Sequence, residues 1–139
     1  NAVMHIQPEV LETLAELRHC RSKKLGLVSN ADPMEVAAWP ASPLRSALDT
    51  AVFSCEVACY KPEPDIYLRA CRDLGVESRE CLFVGDGGAD ELRGARELGM
   101  TTVQMTGIIA RFWPERVAFG SPYADYVIGD IRTLVGVHP

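Results

Sequence analysis

Residues 82–95, LFVGDGGADELRGA, run an apolar strand into a glycine-rich turn that presents Asp86, Asp90 and Glu91. Acids at the carboxyl end of a buried strand offer the hard oxygen ligands that a small divalent cation such as Mg²⁺ prefers. The expected metal residues are Asp86, with Asp90 or Glu91 holding metal-bound water. Gly87 and Gly88 let the backbone come close to a ligand. A turn-and-cap reading competes: it suits Asp90 at the start of the next helix well and Asp86 less well. The run is not a dinucleotide fingerprint, because Asp90 stands where G-x-G-x-x-G needs its last glycine.

Two other short stretches complement this one. Ser29 offers a hydroxyl, and the backbone N–H groups around Asn30 and Ala31, at a helix start, suit a phosphoryl group. The bland alternative makes Ser29 and Asn30 turn and capping residues. Lys61 lies between Tyr60 and Pro62-Glu63-Pro64, where two prolines restrict the backbone and aim an ammonium group. A lone loop lysine is usually solvated, but an anion beside a dication needs a positioned cation on its other side.

These residues must be held by regular elements. An amphipathic helix is expected over 8–20, with Val10, Leu11, Leu14, Ala15 and Leu17 on one face and Pro8 in its first turn. Residues 25–28 read as a buried strand, and Asp32, Pro33 and Glu35 as the cap, first turn and capping box of a short helix. A strand over 51–54 precedes a helix over 64–74 that closes at Gly75. A strand over 81–84, a helix over 90–98 and a strand over 101–105 follow. Residues 126–128 are expected to form a fifth strand, and 131–135 a last short helix. Residues 106–122, with Phe112 and Trp113, and Tyr123 beside them, read as an irregular substrate-facing loop or a contact with another chain. Strand and helix alternate, so the expected fold class is α/β: a mainly parallel, Rossmann-like sheet with helices on both faces. Ligands of such sheets sit beyond the carboxyl ends of the strands, where Ser29, Asn30 and Asp86 fall and which the loop carrying Lys61 approaches.

Composition bounds the rest. A chain of 139 residues, 47% hydrophobic, suits a single domain over 1–139. With 19 acidic and 14 scattered basic residues, the net charge of -5 argues against a nucleic-acid or anionic-membrane surface. No apolar run approaches a membrane span and no signal sequence opens the chain, which points to a cytoplasmic protein. The initial Asn1-Ala2 before Met4 reads as the remnant of a cleaved tag. Five cysteines, Cys20, Cys55, Cys59, Cys71 and Cys81, include no C-x-x-C pair and mostly read as core in a reducing compartment. Cys55 and Cys59 lack partners for a metal, since His5, His19 and His138 lie far away in sequence.

The pattern over about 8–135 resembles the carboxyl-terminal part of a haloacid dehalogenase-like hydrolase. Residues 25–30, LGLVSN, resemble the second family motif, whose serine bonds the transferring group. Residues 61–64, KPEP, resemble the third, whose lysine steadies charge, and VGD at 84–86 resembles the fourth. The resemblance implies a three-layer fold and, through Asp86, the Mg²⁺-dependent phosphatases; the metal-free dehalogenases usually carry a serine-rich fourth motif. Ala58 stands where glycine is common, and Glu91 where aspartate is.

The first motif, Asp-x-Asp-x-Thr or Val, has no match here. In the family its leading aspartate attacks phosphorus, its strand is central to the sheet, and a helical cap follows it. The resemblance therefore implies a core lacking its first strand and cap, as a truncated, engineered or proteolysed piece. The expectation is a phosphatase-type hydrolase for a small phosphorylated metabolite when complete, inactive as this chain, with Lys61 as its one remaining catalytic group. Its weakly held cofactor is Mg²⁺, and Ser29, Asn30 and Lys61 surround the phosphate. The gap left by the missing strand is expected to be closed by direct strand pairing, by rearranged packing or by a homo-oligomer in which a second copy covers it. The alternatives are a non-catalytic interaction module on the same fold and a true dehalogenase.

Overall fold

The computed structural model describes residues 6–139; Asn1, Ala2, Met4 and His5, on which the tag-remnant and histidine readings partly rest, lie outside the described residues. Helix α1 (Pro8–Ala15) has proline in its first turn and runs into a π-helical turn at Glu16–Cys20, so the expected helix over 8–20 forms with a widened end. Strand β1 (Gly26–Ser29) leads to α2 (Pro33–Ala37), whose start is the expected capping box: Asp32 Oδ1 accepts the Glu35 N–H, and Glu35 Oε2 accepts the Asp32 N–H. A single turn, α3 (Leu44–Ala47), precedes β2 (Thr50–Phe53) and another, α4 (Ser54–Val57), follows it. Helix α5 (Pro64–Leu74) ends at Gly75, which takes the left-handed conformation that glycine adopts at least cost. Then come β3 (Leu82–Gly85), α6 (Glu91–Glu97) and β4 (Thr101–Met105).

Residues 106–123 differ from the expected irregular loop. They wind into α7 (Gly107–Phe112), α8 (Val117–Gly120) and short 3₁₀ turns on either side of α8. The reason is local: Thr106 O accepts the Ala110 N–H and Ile109 O the Trp113 N–H, so this stretch satisfies its own backbone. Strand β5 (Tyr126–Ile128) and a 3₁₀ helix at Ile131–Gly136 complete the chain.

All strand pairing is parallel, as the apolar, β-branched strands and helical crossovers require. It falls into two sheets, β1-β2 and β3-β4-β5. Leu27 pairs with Ala51 and Val28 with Val52; Phe83 pairs with Thr102, and Gln104 with Val127. Two apolar layers cover both sheets. On one face α5 and α6 bring Ile66, Tyr67, Ala70 and Ala95 against Val52, with Val28 and Phe83 packed on them. On the other, Leu17 and Leu134 sit on Val103 and Ile128, with Leu82 and Val84 beside them. Leu82, Phe83 and Val84 thus alternate between layers, as a strand covered on both faces must.

Among the described residues no strand pairing joins β1 to β3. The gap is not closed by direct pairing, and both facing edges are only partly buried. Water reaches these edges, so they escape the full penalty of a buried unpaired group.

Candidate active site at the carboxyl ends of the strands

The turn before α5 places Lys61. Glu63 closes it at both ends, its N–H donating to Tyr60 O at 2.8 Å and its Oε1 accepting the Tyr60 N–H at 3.0 Å. The Lys61–Pro62 peptide bond is cis. From the end of β1, Asn30 clamps the same residue: its Nδ2 donates to Lys61 O at 3.1 Å and its Oδ1 accepts the Lys61 N–H at 2.8 Å. The amide of Asn30 is thereby committed to the backbone of Lys61. Asn30 thus positions the lysine through its side chain, whereas the phosphate contact expected of it is through the backbone N–H groups.

The ammonium group of Lys61 crosses from the β1-β2 side to the β3 side. Its Nζ lies 2.7 Å from Glu91 Oε1, with the two side chains 13% and 8% exposed, and 5.8 Å from the centre of the Phe83 ring. The other oxygen of Glu91 accepts the Gly87 N–H at 3.0 Å, and the hydroxyl of Tyr67 donates to Glu91 O at 2.8 Å. Burial, and then the charge of Glu91, push the Tyr67 phenol well above its ordinary range, so it stays protonated and donating. Two glycines make room. A side chain at Gly85 would overlap the Glu91 carboxylate, and one at Gly94 would stand 2.8 Å from both Pro62 Cβ and the Tyr67 hydroxyl.

Asp86 leaves β3 into the turn and is exposed; its Oδ1 accepts the Gly88 N–H at 2.8 Å. Beneath it Gln104 is fully buried and donates from Nε2 to both Asp86 O, at 3.1 Å, and Val117 O, at 2.9 Å. The Oε1 of Gln104 has no partner among the described residues. Gly87, at φ +100°, packs against Gly120, where any added carbon would meet the neighbouring backbone at 2.8 Å.

The three acids expected to share a cation do not converge. Asp90 turns outward, in a left-handed conformation, and receives the Arg93 Nε at 2.7 Å. Glu91 is taken by Lys61 and the Gly87 amide, and of the two exposed acids Asp90 is paired with Arg93, whereas Asp86 has no cationic partner among the described residues. Among the described residues no three His, Cys, Asp or Glu side chains gather as a metal-binding group. The chemistry of Asp86 suits Mg²⁺, but it contributes one ligand to a site whose other oxygens must come from elsewhere.

The expected anion cradle at residues 30–31 is also partly spent. The Ala31 N–H donates to Ser54 Oγ at 3.0 Å, and Ser54 returns a bond to Ala31 O at 3.2 Å. Ser29 ends β1, half-buried, beside this clasp. The sequence reading overlooked Ser54, Tyr67 and Gln104. Gln104 alone carried a signal, a buried amide in an otherwise β-branched strand. Phe112 and Trp113 are 59% and 44% exposed, with the Arg111 and Arg116 guanidinium groups over their rings at 5.2 and 5.1 Å. Tyr123 is half-buried, its carbonyl accepting the Thr102 hydroxyl. All five cysteines are free, with the Cys71 and Cys81 sulfurs 3.9 Å apart.

A parallel sheet under two helical layers, with a lysine, a serine and an acid brought to one rim, defines a hydrolase core of the α/β class. The family is settled by direct match: residues 3–99 fit the haloacid dehalogenase-like hydrolase family, and the chain belongs to it. It is 35% identical over 101 residues to a glyceraldehyde 3-phosphate phosphatase of Methanopyrus kandleri, covering 70% of this chain and 42% of that protein. It is 37% identical over 98 residues to (S)-2-haloacid dehalogenase 4A of Burkholderia cepacia, again covering 70% and 42%. A crystal structure of a HAD phosphatase from Thermococcus onnurineus superposes with a TM-score of 0.79 at 29% identity, covering 95% of this chain and 57% of that one. The chain spans less than half the length of these two curated relatives. No helix among the described residues is long and apolar enough to cross a membrane.

Proposed function

We propose that this chain is the phosphate-handling part of a Mg²⁺-dependent phosphatase that acts on a small phosphorylated metabolite when complete. The observation that carries it is the linkage Asn30–Lys61–Glu91–Gly87, which ties the rim of β1 to the rim of β3 and sets a cation beside the turn that presents Asp86. The phosphoryl group lies between them. Ser29 donates its hydroxyl to one oxygen, the N–H directions of Lys61 not used by Glu91 face another, and Asp86 holds Mg²⁺ from the opposite side. The cation, when bound, neutralises charge on the transferring group.

Relatives of both phosphatase and dehalogenase names match this chain, and Asp86 supports the phosphatase reading. An exposed carboxylate at the rim repels a haloacid's carboxylate and its departing halide, whereas a carboxylate that brings a dication favours a phosphate dianion. Lys61 is electrically balanced by Glu91, so it holds its place without ligand and contributes orientation more than net charge.

The sequence holds no Asp-x-Asp motif to supply a carboxylate for attack on phosphorus, and the expected activity of this chain is nil. A phosphomonoester screen by phosphate release, with Mg²⁺, tests this together with chloride release from 2-haloacids. The expected result is neither product. Robust phosphate release that Asp86→Ala abolishes would show that this chain attacks phosphorus by another route, and chloride release would favour the dehalogenase reading.

A second reading, a non-catalytic interaction module, is favoured by the exposed Phe112, Trp113 and Phe119 near the same rim. Light scattering discriminates it: a self-associating chain whose mass falls on Phe112→Ser substitution, with no response to phosphate, supports this reading over the first.

A further inference from the structure

We infer that Arg116, stacked on Trp113 at the start of α8, forms with Arg111 on Phe112 a second anion subsite at the same rim, so that the ligand is a phosphomonoester whose far end carries a carboxylate or another phosphate. The inference rests on the phosphate reading above and adds to it the chemistry of the ligand's other end.

The backbone places these residues. The segment holding α7 and α8 leaves the carboxyl end of β4, just as the Asp86 turn leaves the carboxyl end of its neighbour β3. One buried nitrogen joins the two: Gln104 Nε2 donates to Asp86 O at 3.1 Å and to Val117 O at 2.9 Å. Gly87 and Gly120 meet beside it, and a carbon added to either would stand 2.8 Å from the Cα of the other. Arg116 immediately precedes Val117, so its backbone is fixed one residue from the contact with the Asp86 turn.

Charge then selects the ligand. The other cations of this rim are spent, Lys61 on Glu91 and Arg93 on Asp90 and Glu97. Arg111 and Arg116 pair with no carboxylate among the described residues, not even with Glu115, which lies between them in the chain. Their guanidinium carbons lie 5.2 and 5.1 Å from the centres of the Phe112 and Trp113 rings, which are themselves 5.9 Å apart. A guanidinium held over a ring is ordered before an anion arrives and keeps its N–H edge for hydrogen bonds. That planar fork matches the paired oxygens of a carboxylate or phosphate, whereas a hydroxyl or alkyl end would use little of it. A monophosphate between Lys61 and Asp86 leaves this positive charge unanswered; a ligand with two anionic ends answers both places.

The test uses the purified chain in excess Mg²⁺ with propyl phosphate and its analogues ending in a carboxylate or in a second phosphate, each also made with a six-carbon linker. NMR follows the Lys61 and Gly88 amides, the Trp113 indole N–H and the Nε–H of Arg111 and Arg116. Every ligand is expected to shift Lys61 and Gly88. Only those with a second anion are expected to shift the two arginines, and to bind about tenfold more tightly than the matching alkyl phosphate. Both arginines are exposed, so an Arg111→Gln, Arg116→Gln double variant keeps the fold, and in it this ratio should fall to about one. The analogue with the larger ratio identifies the second group. If Lys61 and Gly88 respond but the second anion adds nothing, or its gain survives the double substitution, the subsite is overturned while the phosphate reading stands. Silence of Lys61 and Gly88 toward every ligand would remove that reading and this inference with it. A doubled mass, with a Trp113 signal that depends on protein concentration and ignores the second anion, would make this face a contact between copies and overturn the subsite.

Discussion

Within each sheet the strands are held by backbone ladders, whereas the β1-β2 and β3-β4-β5 sheets are held to each other by side chains. The ladders need only β-branched or apolar residues in parallel register, and many sequences would serve. The seam depends on particular groups: Asn30 on the backbone of Lys61, Lys61 on Glu91, and Tyr67 and the Gly87 amide on Glu91. Shared apolar layers back these contacts, but the polar links alone fix how the two rims face each other. The proposed site lies at the seam, where side chains do the joining and are placed to meet a ligand as well.

Breaking the seam should therefore cost more than breaking a surface pair. Removing Glu91 strands a part-buried ammonium, and Glu91→Ala is expected to lower stability by about 3–5 kcal/mol in urea unfolding. Glu91→Gln keeps the volume and one acceptor oxygen, for Lys61 or the Gly87 N–H but not both, so its loss should be smaller; a loss equal to that of Glu91→Ala would mean that charge and not volume holds the seam. The next effect down is Tyr67→Phe, which leaves the Glu91 carbonyl without its donor and should cost about 1–3 kcal/mol. By contrast, Arg79→Ala removes a pair with Glu77 in which both side chains are largely exposed, and its effect should fall within about 0.5 kcal/mol.

An effect seen only at high pH lies away from the seam, at the opposite ends of the strands. Burial, and then the neighbouring Cys71 thiol, raise the Cys81 thiol from 9.0 to about 12. A raised value keeps the proton on in the folded state while the unfolded chain releases it, so this contribution is intact below pH 9 and is lost between roughly pH 9 and 12. Urea unfolding across that window should show stability falling with pH, and falling less steeply in Cys81→Ala. An unchanged slope would remove the buried thiol from the account.

Much of the fold was legible because its signals are local. Pro33 and Pro64 at helix starts, Gly75 at a helix end and the Asp32–Glu35 capping box all act within a few residues of themselves. Residues 106–123 were misread because Pro114 and Pro122 look like loop punctuation, yet each lies in the first turn of a 3₁₀ helix. Ala58 shows a composition effect of the same kind: it takes φ +57°, a left-handed conformation that glycine adopts with less strain, and keeps the turn after β2 regardless.

At the site, the three rim loops were legible, but the pairing of their side chains was not. Asp86, Asp90 and Glu91 look equivalent along the chain. Only the fold shows that Arg93 takes Asp90, that Lys61 takes Glu91, and that Asp86 has no cationic partner among the described residues. Asn30 likewise looked like a ligand for phosphate and is a clamp on Lys61. Apart from the Asp90–Arg93 pair, three residues apart, such choices depend on contacts 24 to 31 residues apart in the chain, which no local pattern encodes.

The most direct test of the proposed site is an amide NMR titration of this chain with Mg²⁺ and inorganic phosphate, separately and together. The account predicts that the two together shift the signals of Lys61, Gly87 and Gly88 more than the sum of each alone, and that Asp86→Asn removes this excess. Shifts in Asp86→Asn equal to those of the unaltered chain, or changes confined to residues away from the rim, would contradict it.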